Sequence, residues 1–161
     1  MVTKRISRPT DPTVADAGAD EINVGVLLFV SYRAMENRVF RAIADAGFTD
    51  LTSAQARLLQ RVGPNGTRLT ELAEQAQVTK QTAGFLVDQL AGAGYVERTP
   101  DPRDARARLI RIAGRGLAAQ PVADAVVRQV EAEWAAHLGG ERWAALRESL
   151  VRLREITDPF A

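Results

Sequence analysis

The chain has 161 residues, 46% of them hydrophobic and 25% charged, with a formal net charge of +1. These values are ordinary for a soluble globular domain, and the chain is long enough to bury a core without disulfides. The absence of cysteine excludes disulfides, thiolate zinc sites and cysteine nucleophiles. No apolar run is long enough to span a membrane and the start has no apolar signal segment, so we expect a cytoplasmic protein with no membrane partner.

Charge is distributed unevenly along the chain. Between Arg98 and Arg115 there are six arginines and two aspartates, whereas from Gly116 to the end there are five arginines and seven acidic residues. A basic segment in a near-neutral chain is the electrostatic pattern expected where an anionic partner binds.

The N-terminal part of the chain divides into a polar segment and an apolar helix. Residues 1–20 are polar and include Lys4, Arg5 and Arg8, so we expect a mobile basic arm. Residues 21–45 predict a helix that is apolar on more than one face. Such a helix is buried on more than one side, and a second subunit is a natural cover in a chain this short.

Three shorter helices follow. LTSAQARLLQRVG predicts a helix with a capping box formed by Thr52 and Gln55 and a left-handed stop at Gly63, and GPNG predicts a turn. TELAEQA and KQTAGFLVDQLAGAG predict two helices with a brief turn between them, and Thr79 is the expected N-cap of the second. The expected inward stripe of the second helix is Ala83, Leu86, Val87 and Leu90. This arrangement is typical of a helix-turn-helix.

A long hairpin is expected next. YVERT and ARLIRI predict two strands on either side of PDPRDAR, a proline-rich loop of about seven residues. A hairpin directly after a helix-turn-helix is a wing, and its narrow tip can enter a minor groove, where negative potential attracts arginine. The alternative is a solvated charged loop. The wing residues expected to contact DNA are Arg98, Asp101, Arg103, Asp104, Arg106 and Arg108.

The second helix of the helix-turn-helix carries the other expected DNA contacts. Lys80 and Gln81 lie in its first turn, where glutamine can pair with adenine and lysine can reach guanine or phosphate. Gly84 either lets the helix approach the duplex or is a neutral surface glycine. Phe85 either meets a thymine methyl group or packs sideways against the wing, and packing is the favoured interpretation. The full set is Thr79, Lys80, Gln81, Thr82, Gly84 and Phe85.

The aspartates within the basic wing require an explanation. An arginine on a flexible hairpin loses about 2 kcal/mol of rotamer entropy when it is fixed. We expect Asp101 or Asp104 to pair with the guanidinium of Arg103 or Arg106 and to hold it before DNA arrives.

The C-terminal part predicts a long helix over about residues 116–138, a break at GGERW, and a last helix from about Glu141 to Ile156. On the last helix, an apolar stripe is expected to face inward, and it consists of Leu146, Leu150 and Leu153.

Two features could indicate enzymatic chemistry. Gly114, Gly116 and Ala119 match the glycine pattern of dinucleotide-binding folds, but helical register continues where a second strand would be needed. His137 is the one histidine and lies near a helix end, and no cluster has metal-ligand spacing. We therefore expect no catalytic residue, no cofactor and no metal, and a nucleotide-cofactor enzyme remains a minor alternative.

The motifs LTELAEQAQVTKQTAGFLVDQL, GYVER and DPRDARARLIRI, in this order, resemble the MarR family of winged-helix transcriptional regulators. The resemblance is close over about residues 51–117. The family's wing motif D-x-R-D-x-R stands here in full, as Asp101, Arg103, Asp104 and Arg106.

The resemblance implies a mainly α fold with a small β-hairpin wing. Residues 51–116 would form a winged helix-turn-helix DNA-binding domain, and residues 21–48 and 117–161 a helical dimerisation body. It further implies a repressor that binds a pseudo-palindromic operator of double-stranded DNA as a homodimer. The recognition helix would enter the major groove, with Arg103 in the adjacent minor groove and Arg106 stabilising the wing or contacting phosphate.

Ligand control is also implied by the resemblance. A small aromatic or anionic effector would enter a pocket between the dimer body and the winged domain and release the DNA. The candidate pocket residues are Tyr32, Met35 and Phe40, each of which could instead belong to the core.

The chain departs from the family pattern in three ways. Ala113 stands where a threonine usually caps the long helix, and Gly84 and Phe85 replace a pair that is often polar or basic. The lack of cysteine sets aside regulation by thiol oxidation. An alternative of another class is a protein-interaction adaptor with a degenerate winged helix, but an adaptor should lack the outward basic residues kept here, such as Lys80 and Arg103.

Overall fold

The computed structural model describes residues 22–158, so the expected basic arm lies outside the described residues. Over that range the chain forms six helices and one three-stranded antiparallel sheet, which is the mainly α architecture that the sequence predicts. In chain order the elements are α1 (Val24–Asp45), α2 (Ser53–Leu59), β1 (Thr67–Arg68), α3 (Leu69–Gln75), α4 (Lys80–Gly92), β2 (Val96–Asp101), β3 (Asp104–Ile112), α5 (Gly114–Leu138) and α6 (Gly140–Thr157).

The chain divides into two compact units between Glu36 and Asn37. In the first unit, α1 begins with a run of apolar side chains that are 41% to 67% exposed in a single chain. They are Val24, Val26, Leu27, Leu28, Phe29, Val30 and Tyr32. Such a continuous exposed apolar surface is unusual for a protein that acts as a monomer.

The second unit contains the principal core. Its largest fully buried side chains come from α2, α3, α4, the residue before β2, β3 and α5, and they are Leu58, Leu72, Val87, Leu90, Tyr95, Ile110 and Val130. The stripe expected to face inward on α4 is buried, and it consists of Ala83, Leu86, Val87 and Leu90. Because this face of α4 is committed to the core, the opposite face projects outward.

The start of α2 follows the expected capping pattern, but its end does not. The Thr52 hydroxyl accepts a hydrogen bond from the Gln55 N–H at 3.3 Å, and the Gln55 side chain accepts one from the Thr52 N–H at 2.8 Å. The expected left-handed stop at Gly63 is wrong. The GPNG turn, closed by the Gly66 N–H to Gly63 carbonyl bond at 2.9 Å, instead places positive φ at Gly66, at 85°.

The sheet has the order β1-β3-β2, and β1 is a two-residue strand that the sequence did not predict. The expected seven-residue wing loop is wrong, because β2 continues to Asp101 and β3 starts at Asp104. Pro100 is tolerated in the paired region because β2 is an edge strand, which can place a missing N–H on its open side. The wing is therefore a tight hairpin.

The start of α5 packs closely on the sheet. A Cβ atom at Gly116 would lie 2.5 Å from the Tyr95 carbonyl oxygen and 2.6 Å from Ile112 Cγ2, so only glycine fits there. Ala113 provides no side-chain cap, but the Arg115 N–H donates to the Gly94 carbonyl at 3.1 Å. Residues 114–138 form one helix, which leaves no second strand for a dinucleotide fold.

The C-terminal helices contact each other and also expose apolar side chains. Trp134 on α5 and Trp143 on α6 pack edge to face, with ring centroids 6.4 Å apart. The leucines expected to face inward on α6, Leu146, Leu150 and Leu153, are 38%, 41% and 43% exposed, so that prediction is wrong for a single chain. Packing against α5 leaves these side chains uncovered.

None of the described helices is both long and apolar enough to cross a lipid bilayer.

Candidate nucleic-acid interface

The start of α4 presents polar side chains to the exterior. Thr79 caps the helix by accepting a hydrogen bond from the Thr82 N–H at 3.1 Å, and the two threonine hydroxyls lie 2.8 Å apart. Lys80 and Gln81 follow the cap and are exposed. The turn before the helix is sharp because Gln77 adopts a left-handed conformation, with φ of 53°. The first turn of α4 is therefore held by its cap, with two long polar side chains projecting from it.

The next turn of α4 is open. Phe85 is 62% exposed, so the favoured interpretation that it packs against the wing is wrong. The buried stripe leaves Phe85 on the outward face, four residues beyond Gln81. A Cβ atom at Gly84 would meet nothing closer than Leu69 Cδ2 at 3.8 Å, so packing within the protein does not require glycine there. The exposed ring of Phe85 and the neighbouring Gly84, which has no side chain, are therefore accessible to a partner.

A polar contact that the sequence did not predict joins α4 to α2. The Gln55 side chain, which completes the α2 capping box, also donates through Nε2 to Gln89 Oε1 at 3.0 Å. Gln55 is buried and Gln89 is exposed, so this bond is only partly shielded from solvent. One side chain thus fixes the start of α2 and one face of α4.

The hairpin tip is a two-residue turn, Pro102 and Arg103, between Asp101 and Asp104; we refer to residues 101–104 as the tip turn. The Arg103 N–H donates to Asp101 Oδ1 at 2.9 Å, and the Arg106 N–H donates to Asp104 Oδ1 at 3.1 Å. Aspartate commonly accepts a backbone N–H two residues ahead in a turn. The aspartates therefore hold the backbone of the wing.

The expected pairing of these aspartates with wing guanidinium groups is wrong. Asp101 Oδ2 accepts hydrogen bonds from Arg68 Nε at 2.8 Å and Arg68 Nη2 at 2.5 Å. Arg68 Nη2 also lies 3.8 Å from Asp104 Oδ2. Arg68 belongs to β1, which the sequence did not predict, so no local signal could have identified it.

The electrostatics of the tip turn follow from these contacts. The hydrogen bond from the Arg103 backbone, followed by that from Arg68, lowers the pKa of Asp101 below its ordinary value. The same contact with Asp101 raises the pKa of Arg68. Arg103 and Arg106 are exposed, and neither guanidinium forms an ion pair within residues 22–158. Asp101 therefore pairs with Arg68, and both aspartates accept hydrogen bonds from backbone N–H groups.

The remaining predicted wing residues lie away from the tip turn. Arg98 on β2 donates to Asp88 Oδ1 on α4 at 2.7 Å, which joins the wing to α4. Both side chains are substantially exposed, so the pair stabilises the fold by only about 0–1 kcal/mol. Arg108 is exposed on β3 and donates to the Ala107 carbonyl oxygen at 3.2 Å. Strand β2 of the wing is therefore joined to α4 through Arg98.

A second network, also not predicted, fixes the start of α5. Both Asp50 oxygens accept hydrogen bonds from Arg115, at 2.6 Å and 2.8 Å, and Asp50 Oδ1 also accepts the Tyr95 hydroxyl proton at 2.7 Å. The Arg115 guanidinium lies 4.5 Å from the centre of the Tyr95 ring. Burial, and then the hydrogen bond to Asp50, raise the pKa of Tyr95 to about 12. The bonds from Arg115 and Tyr95 hold the pKa of Asp50 well below its usual range.

The expected effector residues lie on α1. Tyr32 is 44% exposed and donates to Glu36 Oε1 at 3.4 Å, while Met35 and Phe40 are half-buried. A shallow apolar groove on α6 contains none of them, and its lining is Ala144, Arg147, Glu148, Val151 and Arg152. Within the described residues, no group of histidine and acidic side chains could hold a metal ion.

Comparison with known proteins identifies the class to which this interface belongs. A sequence model of the MarR family matches residues 49–107, which include α2, α3, α4 and the tip turn. Over these residues the chain is similar to the MarR family. Its curated relatives are named as HTH-type transcriptional repressors, which supports a DNA-binding transcriptional regulator, and MarR-family transcriptional regulators are not enzymes.

Similarity to individual proteins extends over most of the chain. The HTH-type transcriptional repressor Rv2887 of Mycobacterium tuberculosis is 28% identical over 135 residues, which are 84% of this chain and 96% of that protein. The crystal structure of the MarR family protein Rv2887, a complex with salicylic acid, matches with a TM-score of 0.59 at 28% identity over 84% of this chain and 98% of that chain. A mutant of MepR from S. aureus shares the fold, with a TM-score of 0.70 at 17% identity over 84% of this chain and 97% of its own.

Proposed function

We propose that this chain is a homodimeric repressor that binds a pseudo-palindromic operator and is released by a small aromatic or anionic ligand. One observation carries the DNA-binding part of the proposal. The hairpin carries Arg103 in its tip turn and Arg106 just beyond it, neither of which forms an ion pair within residues 22–158, and its strand β2 is joined through Arg98 to α4. Cationic and polar side chains on two adjacent projections are suited to two adjacent grooves of a duplex.

The two projections have different roles in this proposal. Lys80 and Gln81 on α4 contact base edges in the major groove, where glutamine can pair with adenine and lysine can reach guanine. Thr79 and Thr82 lie at the same helix end, where hydroxyl groups can contact phosphate. Arg103 enters the minor groove, because a narrow groove carries enhanced negative potential. Arg106 and Arg108 contact the adjacent phosphates.

The homodimer is proposed to cover the exposed apolar surfaces. The start of α1 and the length of α6 each expose a series of large apolar side chains in a single chain. Two-fold association buries the same surface on both copies and presents two identical winged domains. A pseudo-palindromic operator matches that symmetry, with one half-site for each domain. Residues 21–48 and 117–161 are the proposed dimerisation region.

The effector is proposed by comparison with Rv2887, whose crystal structure contains salicylic acid. A small aromatic carboxylate is therefore the first compound to test. Tyr32, Met35 and Phe40 remain the candidate contact residues, because the phenol of Tyr32 and the half-buried side chains of Met35 and Phe40 offer polar and apolar contacts to such a ligand.

The test begins with selection of DNA from a random-sequence library by the full chain. Affinity for the selected duplex is then measured at several salt concentrations, and it should fall steeply as salt rises because bound counterions are released. Arg103→Ala should weaken binding by about 1–3 kcal/mol, which is roughly 5- to 150-fold, while the dimer persists. Arg142→Ala, which removes an arginine outside the winged domain, is the matched control and should leave the affinity of the dimer unchanged, with the dimer verified by sedimentation velocity.

Two outcomes would overturn parts of the proposal. Unchanged affinity of Arg103→Ala at moderate salt would remove the wing from the interface. Failure of salicylate, at concentrations that saturate the free protein, to release the duplex would exclude that compound as an effector.

A further inference from the structure

A side chain from outside the wing contacts the tip turn. Arg68 is the last residue of β1, where it pairs with Leu109 of β3, and it directly precedes α3. Its backbone is thus fixed on both sides, by a strand pairing and by a helix start. We propose that Arg68 is a positioning residue for DNA recognition, which holds Asp101 and thereby directs Arg103 toward the duplex. The proposal rests on the proposed function, in which Arg103 contacts DNA.

The first step of the argument is the shared carboxylate. Asp101 is 5% exposed, and its two oxygens have different partners. Oδ2 accepts the two Arg68 bonds, at 2.8 Å and 2.5 Å, while Oδ1 accepts the Arg103 N–H at 2.9 Å. A guanidinium that binds one oxygen through two nitrogens fixes the carboxylate firmly, and therefore fixes the oxygen that faces Arg103.

The second step is what happens without Arg68. A nearly buried carboxylate that loses its counter-charge is costly, so Asp101 would turn toward water. The Arg103 N–H would then lose its acceptor. Asp104 does not replace Asp101, because its own Oδ1 accepts the Arg106 N–H at 3.1 Å.

The third step concerns Arg103 itself. Its side chain is exposed and forms no ion pair within residues 22–158, although its charge still interacts electrostatically with Asp101. The direction of this side chain is set by the backbone of the tip turn. Ordering a flexible side chain on binding costs free energy, and a fixed turn reduces this cost. The contribution of Arg68 to DNA binding therefore passes through Arg103.

A direct phosphate contact is the competing role for Arg68, since its side chain is 38% exposed. The two roles predict different results in a double-mutant cycle. Affinity for the selected duplex is measured by fluorescence anisotropy for the wild type, Arg68→Ala, Arg103→Ala and the double variant. We expect Arg68→Ala to weaken binding roughly three- to tenfold. In the Arg103→Ala background the same change should have no further effect, because the residue it positions is gone.

Two results of the cycle would overturn the proposal. The first is a double variant whose fold loss of DNA affinity equals the product of the losses in Arg68→Ala and Arg103→Ala. The other is a decrease of about one in the slope of log affinity against log salt for Arg68→Ala, which would indicate a lost phosphate contact.

A second measurement needs no DNA. Hydrogen exchange of the Arg103 amide, followed by NMR, reports on its bond to Asp101. We expect at least severalfold faster exchange in Arg68→Ala and in Arg68→Gln, the latter retaining most of the side-chain bulk if alanine prevents folding. Arg111→Ala is the matched control, because Arg111 also lies in the sheet but its Nε donates to Thr99 Oγ1 at 3.2 Å. Unchanged exchange in both Arg68 variants would overturn the proposal.

The two measurements separate this inference from the proposed function. If the wild-type chain selects no DNA sequence, the proposed function fails as a whole. The exchange measurement then still decides whether Arg68 holds the tip turn.

Discussion

At the scale of single residues, Asp101 shows how a side chain can have a role that its charge does not suggest. In the sequence it stands among arginines, and the natural expectation is an ion pair with one of them. In the structure it accepts the backbone N–H of Arg103 and the guanidinium of Arg68. The carboxylate orders the tip turn and leaves the Arg103 side chain available for a partner.

Phe85 supports a prediction at the same scale. Phe85 is 62% exposed on the outward face of α4, and in the proposed function we expect its apolar ring to contact the methyl group of a thymine in the major groove. Replacing one thymine of the selected duplex with uracil removes a methyl group, worth about 0.8 kcal/mol or roughly fourfold in affinity. We expect this loss for one thymine position in the wild type and no loss at that position in Phe85→Ala.

The control for this measurement is Gln81→Ala, which lies on the same face and should still distinguish thymine from uracil. Equal sensitivity of the wild type and Phe85→Ala at every thymine would show that Phe85 contacts no methyl group.

At the scale of secondary-structure elements, the sequence predicted features that depend on a few neighbouring residues. The α2 capping box, the Thr79 cap and the buried stripe of α4 are all set by local spacing, and all are present. The sequence failed where the decisive partner is distant. Arg68 and Asp101 are 33 positions apart, and Arg115 and Asp50 are 65 apart. Strand β1 exists only because β3 returns beside it.

The same reasoning explains the errors within the wing and the last helix. Proline and charged residues predict a loop, but the pairing of Asp101 with Asp104, which follows an irregularity in register between Pro100 and Asp101, extends the hairpin to its tip. The stripe of α6 predicts a buried face from its periodicity alone, and periodicity does not show whether the covering surface belongs to the same chain. Contacts within one chain leave that stripe exposed.

The junction of α5 with the sheet supports a prediction of pH dependence. Burial and the bond to Asp50 raise the pKa of Tyr95 from 10.0 to about 12. A raised pKa stabilises the fold fully below the unfolded value and ceases to do so as pH rises through the folded value. The free energy of unfolding of the wild type should therefore fall between about pH 10 and pH 12, as measured by urea denaturation. Tyr95→Phe should show a smaller fall over that range.

Tyr32→Phe is the control for Tyr95→Phe, because Tyr32 is the other tyrosine and is 44% exposed. This variant should keep the alkaline loss of stability seen in the wild type. The same fall in Tyr95→Phe as in the wild type would show that Tyr95 ionisation does not destabilise the fold.

At the scale of the whole molecule, the exposed leucines of α6 bear on the proposed homodimer. Leu150 is 41% exposed in a single chain. If a second copy covers it, Leu150→Glu buries an unpaired charge at the interface and should shift the protein to a monomer with greatly weakened operator binding. Sedimentation velocity over a range of protein concentrations measures the change.

Arg152→Glu introduces the same side chain on the polar side of α6, where Arg152 pairs with Glu148 at 3.0 Å in an exposed position. We expect this variant to sediment as the wild type does. A Leu150→Glu protein that remains dimeric would place the interface away from this part of α6.

The close approach at Gly116 has a mechanical consequence. Where most helices rest on a strand through side chains that can change rotamer, the first turn of α5 meets the Tyr95 carbonyl group directly. A contact between backbone atoms cannot adjust by a change of side-chain rotamer, so this contact is rigid. A tilt of α5 therefore displaces the chain that connects α4 to the wing by a similar amount. We therefore expect the winged domain and the start of α5 to behave as one rigid unit.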